Sequence, residues 1–100
     1  MASLEIIKWK NKSPPAIEDI EEMFSKRSLS NYSFSNSARD FYSAHSHSYN
    51  KFLVITKGKM RWRIDSKAHE LSAGDSIVLP RGMQHEVECL TDCRCREGHF

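Results

Sequence analysis

Three histidines and one lysine are the residues of this 100-residue chain whose types and spacing could do chemistry. His45 and His47 are separated by a single residue. Side chains two apart on a β-strand project from one face, so both imidazoles can reach the same metal ion. His85 opens a different extended segment and points to its apolar side. Three converging imidazoles leave coordination positions open, as a catalytic metal requires. The competing reading keeps these histidines as hydrogen-bonded groups of a pocket without metal. Lys51 would then hold the anionic group of a small metabolite, a carboxylate or a phosphate. In either reading Tyr49, Lys51, Met60 and Trp62 line the pocket. No residue is assigned to catalysis itself.

Other groups carry less. His69 reads as a surface residue of a short strand. The run Cys89-x3-Cys93-x-Cys95-x3-His99 does not have the paired spacing of a structural zinc site, and Cys89 reads as a small buried hydrophobe. Three cysteines cannot all pair within one chain, which favours reduced thiols and a cytoplasmic protein. Lys57, Lys59, Arg61 and Arg63 form a basic stripe on one hairpin face. The net charge is only +2 and no exposed aromatics are interleaved with the stripe, so a solvated sheet face is expected and a nucleic-acid partner is not. No apolar run approaches the roughly 18 residues of a membrane span, and the N-terminus has no signal-peptide pattern.

The elements that must position these groups follow from periodicity. Residues 3–10 read as a short strand. Ser13-Pro14-Pro15 announces a helix, with serine as N-cap and proline in the first turn. Ile17, Ile20, Met23 and Phe24 give it one apolar stripe to dock on the outside of the main domain. Residues 28–50 are rich in serine and asparagine, yet Tyr32, Phe34, Phe41 and Tyr42 call for partial burial. From Asp40 the pattern is β, with Phe41, Ser43, His45 and His47 of one parity. Residues 51–56 and 60–64 read as two arms of a hairpin around Lys57-Gly58-Lys59. Short strands follow at 68–71, 76–79, 85–90 and 93–99. The fold class is therefore all-β, a barrel or sandwich with one early helix.

Glycine and proline spacing narrows this. The segment from His45 to Gly58 reads H-x-H-x3-K-x6-G, and that from Gly74 to His85 reads G-x5-P-x-G-x2-H. In this order they resemble the two motifs of the cupin family, G-x5-H-x-H-x3,4-E-x6-G and G-x5-P-x-G-x2-H-x3-N. Fifteen residues separate Gly58 from Gly74, similar to the compact gap of small single-domain bacterial cupins. The early helix and the Cys-x-Glu-Gly-His tail look like the same group. The resemblance spans about residues 40–90. It implies one jelly-roll domain over 1–100, with the strand and helix in 1–30 and the barrel in 38–100.

The chain departs from the family pattern at three positions. Arg39 replaces the glycine before the histidine pair, Cys89 replaces the terminal asparagine, and Lys51 replaces the glutamate that is a frequent metal ligand. What the resemblance leaves is a three-histidine set, His45, His47 and His85, similar to the iron site of thiol dioxygenases. Iron, zinc, nickel, manganese and copper all suit such a set. The alternation in the tail turns Cys95, Glu97 and His99 inward if the arginines face out, so Glu97 could supply the carboxylate absent at 51. The resemblance implies a metal-dependent enzyme of dioxygenase or isomerase type acting on a small molecule, in a homodimer. A metal-free binding module is the alternative.

Overall fold

The structure, a computed structural model, describes residues 2–100. Its strands are β1 (Glu5–Ile7), β2 (Tyr32–Asn36), β3 (Phe41–His45), β4 (Lys51–Lys57), β5 (Lys59–Ile64), β6 (Lys67–Ser72), β7 (Ser76–Leu79), β8 (His85–Cys89) and β9 (Cys93–His99), with one helix, α1 (Ile17–Ser25). They form two antiparallel sheets, ordered β1-β7-β4-β9-β2 and β3-β8-β5-β6. The two sheets face each other across one apolar interior, which makes the fold an all-β jelly roll with one helix outside it.

Alternation decides which side of each strand is buried. Leu53 and Ile55 of β4, Met60, Trp62 and Ile64 of β5, and Ile77 and Leu79 of β7 fill the space between the sheets. The opposite parity, Phe52, Val54 and Val78, makes a second cluster with Ile20 and Phe24 of α1. Strand β4 is therefore covered on both faces, which is why it reads as an unbroken apolar run rather than an alternating one. Phe24 meets Phe52 edge-on at 4.9 Å, and the Arg27 guanidinium lies 4.2 Å from the Phe52 ring centre. The docked helix is the one that the apolar stripe calls for. It begins later than Ser13-Pro14 suggests. Pro15 disfavours helical geometry in the residue before it, and the Ser13 carbonyl accepts from the Trp9 indole N–H at 2.8 Å. Ala16 is the N-cap instead, and its N–H donates to Asp19 at 2.8 Å. Ile17 is left exposed.

Two local readings are corrected and one segment gains a strand. Strands β4 and β5 do not form a hairpin: β4 pairs with β7 and β9, while β5 pairs with β6 and β8 in the other sheet. Gly58, at φ +88°, is the corner where the chain passes between sheets, and a Cβ there would collide with the Asp92 carbonyl. The hairpin is β5–β6, turned by Asp65 and Ser66 at φ +50° and +66°. The Ser/Asn-rich stretch contains β2, which pairs with β9 along its whole length. Finally, Phe41 and His45 do not share a face. The register of β3 against β8 shifts between Tyr42 and His45, leaving Phe41 exposed and turning Tyr42 toward the interior pocket with His45. His47 lies beyond the strand, in the turn leading to β4.

The turn before β3 explains how the chain does without a glycine at 39. Arg39 takes φ +74°, the backbone state that glycine enters freely and other residues at a cost of about 1–2 kcal/mol. Its N–H donates to the Cys89 carbonyl at 2.7 Å, and the Cys89 N–H donates back to Asp40 at 2.9 Å, so the pairing with β8 enforces the strain. The Arg39 side chain is exposed. Arg39→Gly is expected to raise stability by about 0.5–1 kcal/mol, the strain relief being partly offset by the freer unfolded chain. Urea unfolding checks this, and an unchanged or lower midpoint would show that Arg39 is not strained.

Candidate metal centre

His45 ends β3 directly opposite His85 at the start of β8. His47 follows in the turn, where its carbonyl accepts the Gly82 N–H at 2.8 Å. That bond ties the turn carrying His47 to the Pro80-Arg81-Gly82 bend that aims His85. The ring centres of His45 and His85 are 4.3 Å apart, those of His45 and His47 4.8 Å, and those of His47 and His85 5.3 Å. One nitrogen from each lies within 4.8 Å of the other two. The three histidines are thus positioned to bind a metal.

Hydrogen bonds orient each ring. Nδ1 of His45 donates to the Ser43 carbonyl at 2.6 Å, and Nδ1 of His85 to the Met83 carbonyl at 2.9 Å. Each carbonyl lies two residues back along its own chain segment. Nδ1 of His47 faces the Tyr49 hydroxyl at 3.2 Å. Engaged Nδ1 atoms turn the Nε2 lone pairs toward the shared centre, the arrangement by which outer hydrogen bonds fix the tautomer of a ligating histidine. Nε2 of His85 is buried without a partner among the described residues, and the Trp62 indole stacks on its ring at 5.5 Å. Burial lowers the pKa of His85. Burial first, then the Lys51 charge and the neighbouring imidazoles, hold His47 down to about 4. Near neutral pH both therefore present lone pairs rather than protons.

Lys51 is buried beside the trio. Its ammonium donates to Nε2 of His47 at 3.4 Å and lies 3.4 Å from Oε1 of Glu97. Glu97 comes from β9, where it stands opposite Leu53, the residue two along from Lys51. The other carboxylate oxygen, Oε2, accepts from the Tyr32 hydroxyl at 2.7 Å and from Nε2 of His99 at 2.5 Å. Burial alone would raise the pKa of Glu97. The His99 and Tyr32 hydrogen bonds and the Lys51 charge outweigh it and hold the carboxyl below its ordinary range. The pocket thus has a carboxylate, directed at the lysine rather than standing in its place.

These groups close one end of a cavity of about 250 Å³. Phe34, Tyr42, Leu53, Met60, Trp62 and Val87 supply its apolar wall, and Lys51 also lines it. Tyr49 stands outside that wall, stacked between His47 and His99 at 4.9 and 3.8 Å. Of the tail residues, Cys95 and Glu97 are buried and His99 reaches the exterior. Sequence reasoning missed Tyr32, whose only signal was an aromatic in a polar stretch. Burial pushes the thiols of Cys89 and Cys95 up to about 12, so both stay protonated and unreactive. On the basic stripe, Arg61 is shared between Glu88 at 3.6 Å and Glu70 at 3.7 Å.

A jelly roll with three inward imidazoles at the junction of its sheets defines a class of small barrels. Residues 39–96 match the Cupin domain family, and the chain belongs to it. No curated protein sequence matches significantly. Among solved structures, the chain is similar to a DUF861 family protein from Thermotoga maritima (17% identity, TM-score 0.65, 98% of this chain and 100% of that one). It is similar to a Salmonella typhimurium protein assigned to ethanolamine utilization (18%, TM-score 0.64, 73% of this chain), of which it spans only 58%. It also resembles salicylate 1,2-dioxygenase from Pseudoaminobacter salicylatoxidans (13%, TM-score 0.65, 71% of this chain and 20% of that one). At such identities the likeness is one of fold.

The depressed histidines set a pH response of the metal-free protein. Between pH 6.5, the ordinary histidine value, and about 4, the unfolded chain binds protons at position 47 that the folded chain refuses. Stability is full above that window and falls as the pH drops through it. Thermal melts from pH 7 to 4 should show a falling midpoint, with a shallower fall in His47→Gln. Identical slopes in the two proteins would contradict the assignment.

Proposed function

We propose that the pocket holds one divalent transition metal (iron, zinc, nickel, manganese or copper) through Nε2 of His45, His47 and His85, and acts on a small molecule. The observation that carries this reading is the orphaned Nε2 of His85. Buried polar atoms almost always have a partner, and this one lacks one although its ring is held by the Met83 carbonyl. A lone pair buried beside two further imidazoles is what a shared cation would satisfy. The donor set fits: three neutral nitrogens, each hydrogen-bonded or stacked from behind, suit borderline metals.

A metal bound there supplies Lewis-acid polarisation of a substrate oxygen or activation of dioxygen, the chemistry of an isomerase or a dioxygenase. The chain supplies the rest. The aromatic and aliphatic wall from Phe34 to Val87 takes the apolar part of the molecule and keeps water from it. Lys51, oriented by Glu97, faces the histidine end with a hydrogen-bond donor. The fold shared with a salicylate dioxygenase is compatible with this reading. The metal-free alternative, an anionic metabolite held by Lys51, is less well supported, because Glu97 already faces that ammonium at 3.4 Å. The protein we envisage is a cytoplasmic homodimer. Exposed Phe41 on the sheet-edge strand β3 supports pairing there, while β1 is paired with β7 of its own chain.

Protein purified without a polyhistidine tag should contain about one equivalent of a transition metal, lost in His45→Ala and His85→Ala while both still fold. Protein from iron-, zinc- and nickel-supplemented cultures that carries none of them would overturn the reading.

A further inference from the structure

We infer that Lys51 is a resident cation that a metal ion has to displace from His47, and that Glu97 is the carboxylate that retains it afterwards. The inference rests on the metal reading above and adds what controls occupancy of that site. Nε2 of His47 has one lone pair, and in this structure the Lys51 ammonium donates to it at 3.4 Å. The ring's other nitrogen is engaged by Tyr49. The nitrogen that would bind a metal is therefore the one that already serves a cation, and one lone pair cannot serve two. Repulsion between an ammonium and a divalent ion at ligand distance far exceeds thermal energy even at an effective dielectric of about 20. Lys51 must give way.

The surroundings limit where it can go. The Lys51 side chain is only 10% exposed, so retreat into water is closed off. Its other partner is Oε1 of Glu97, also at 3.4 Å. Tyr32 and His99 hold that carboxylate through its second oxygen, so it keeps its position and its charge while Lys51 moves. The ammonium also does preparatory work. By donating to Nε2 it keeps the proton of His47 on Nδ1, the tautomer that ligation through Nε2 needs. Metal uptake is thus an exchange of one cation for another at a preformed nitrogen.

Zinc(II) titration of metal-free protein by calorimetry tests the exchange, using wild type, Lys51→Met, Glu97→Gln and the double variant, each shown by circular dichroism to be folded. Lys51→Met should bind about tenfold tighter or better than wild type. Glu97→Gln, which leaves the displaced ammonium unpaired, should bind about tenfold weaker, and the double variant should recover the affinity of Lys51→Met. A Lys51→Met affinity within about twofold of wild type overturns the exchange. So does an equal loss in Glu97→Gln and the double variant, since Glu97 would then bind the ion itself. Tight binding by Lys51→Met where wild type binds nothing supports the exchange while overturning native metal occupancy. No binding by any of the four overturns both. If a variant fails to fold, proton NMR of wild type decides. Saturating zinc should abolish the contact between the Lys51 ε-methylene and the His47 ring and keep that with Glu97. A persisting His47 contact overturns the proposal.

Discussion

The ion pair between Lys51 and Glu97 is the interaction around which the functional end of this barrel is built. Removing two charges from water costs several kcal/mol per ion, and mutual attraction repays it only when the remaining donors and acceptors are also satisfied. Here they are. Glu97 receives Tyr32 and His99 on one oxygen and faces Lys51 with the other, while Lys51 also donates to His47. Through these contacts β2, β4, β9 and the turn after β3 meet at one point. Loss of either charge would leave its partner buried and uncompensated, so the pair holds the mouth of the pocket together as well as setting its field.

Against that polar end the remaining interior is apolar, and the contrast explains the histidines. A jelly roll of 100 residues has one core. Every polar group admitted to it displaces apolar contact. His85 sits in that core at 1% exposure with Trp62 stacked on it, yet its Nε2 has no partner among the described residues. Such a group costs stability in the absence of a ligand. Strain at Arg39 is of the same kind: a left-handed backbone kept by the β3–β8 pairing that puts His45 opposite His85. One departure lies on β8 and the other in the turn that enters β3, the two strands that deliver His85 and His45.

Much of this was legible in the sequence, and what was not has identifiable causes. The apolar stripe of α1, the alternation of β5 and β9, the turns at Gly58 and Gly74, and the two histidine motifs all express local periodicity, which sequence records directly. Gly58 could be read as a turn but not as a corner between sheets, because a hairpin and a crossover look alike until the pairing partners of β4 are known. The bulge in β3 breaks strand parity with nothing in the residues to mark it. Glu97 was legible only as an inward-facing carboxylate. That it meets Lys51 depends on the register of β9 against β4, a long-range fact.

That register changes what Lys51 means. Taken alone, a lysine in place of a carboxylate argues against a metal, since it would leave the site one charge too positive twice over. Paired with Glu97, it contributes no net charge, and the site differs from a three-histidine, one-carboxylate set by a single charge. Neutral imidazoles cancel none of a divalent ion's charge. Whatever fills the open positions of such a centre is therefore favoured when it is itself an anion, and the apolar wall, which offers no counter-charge, leaves that role to the bound molecule. Under the proposed metal reading, the electrostatics of the pocket and its size would together favour a small, largely apolar molecule that carries an anionic oxygen at one end.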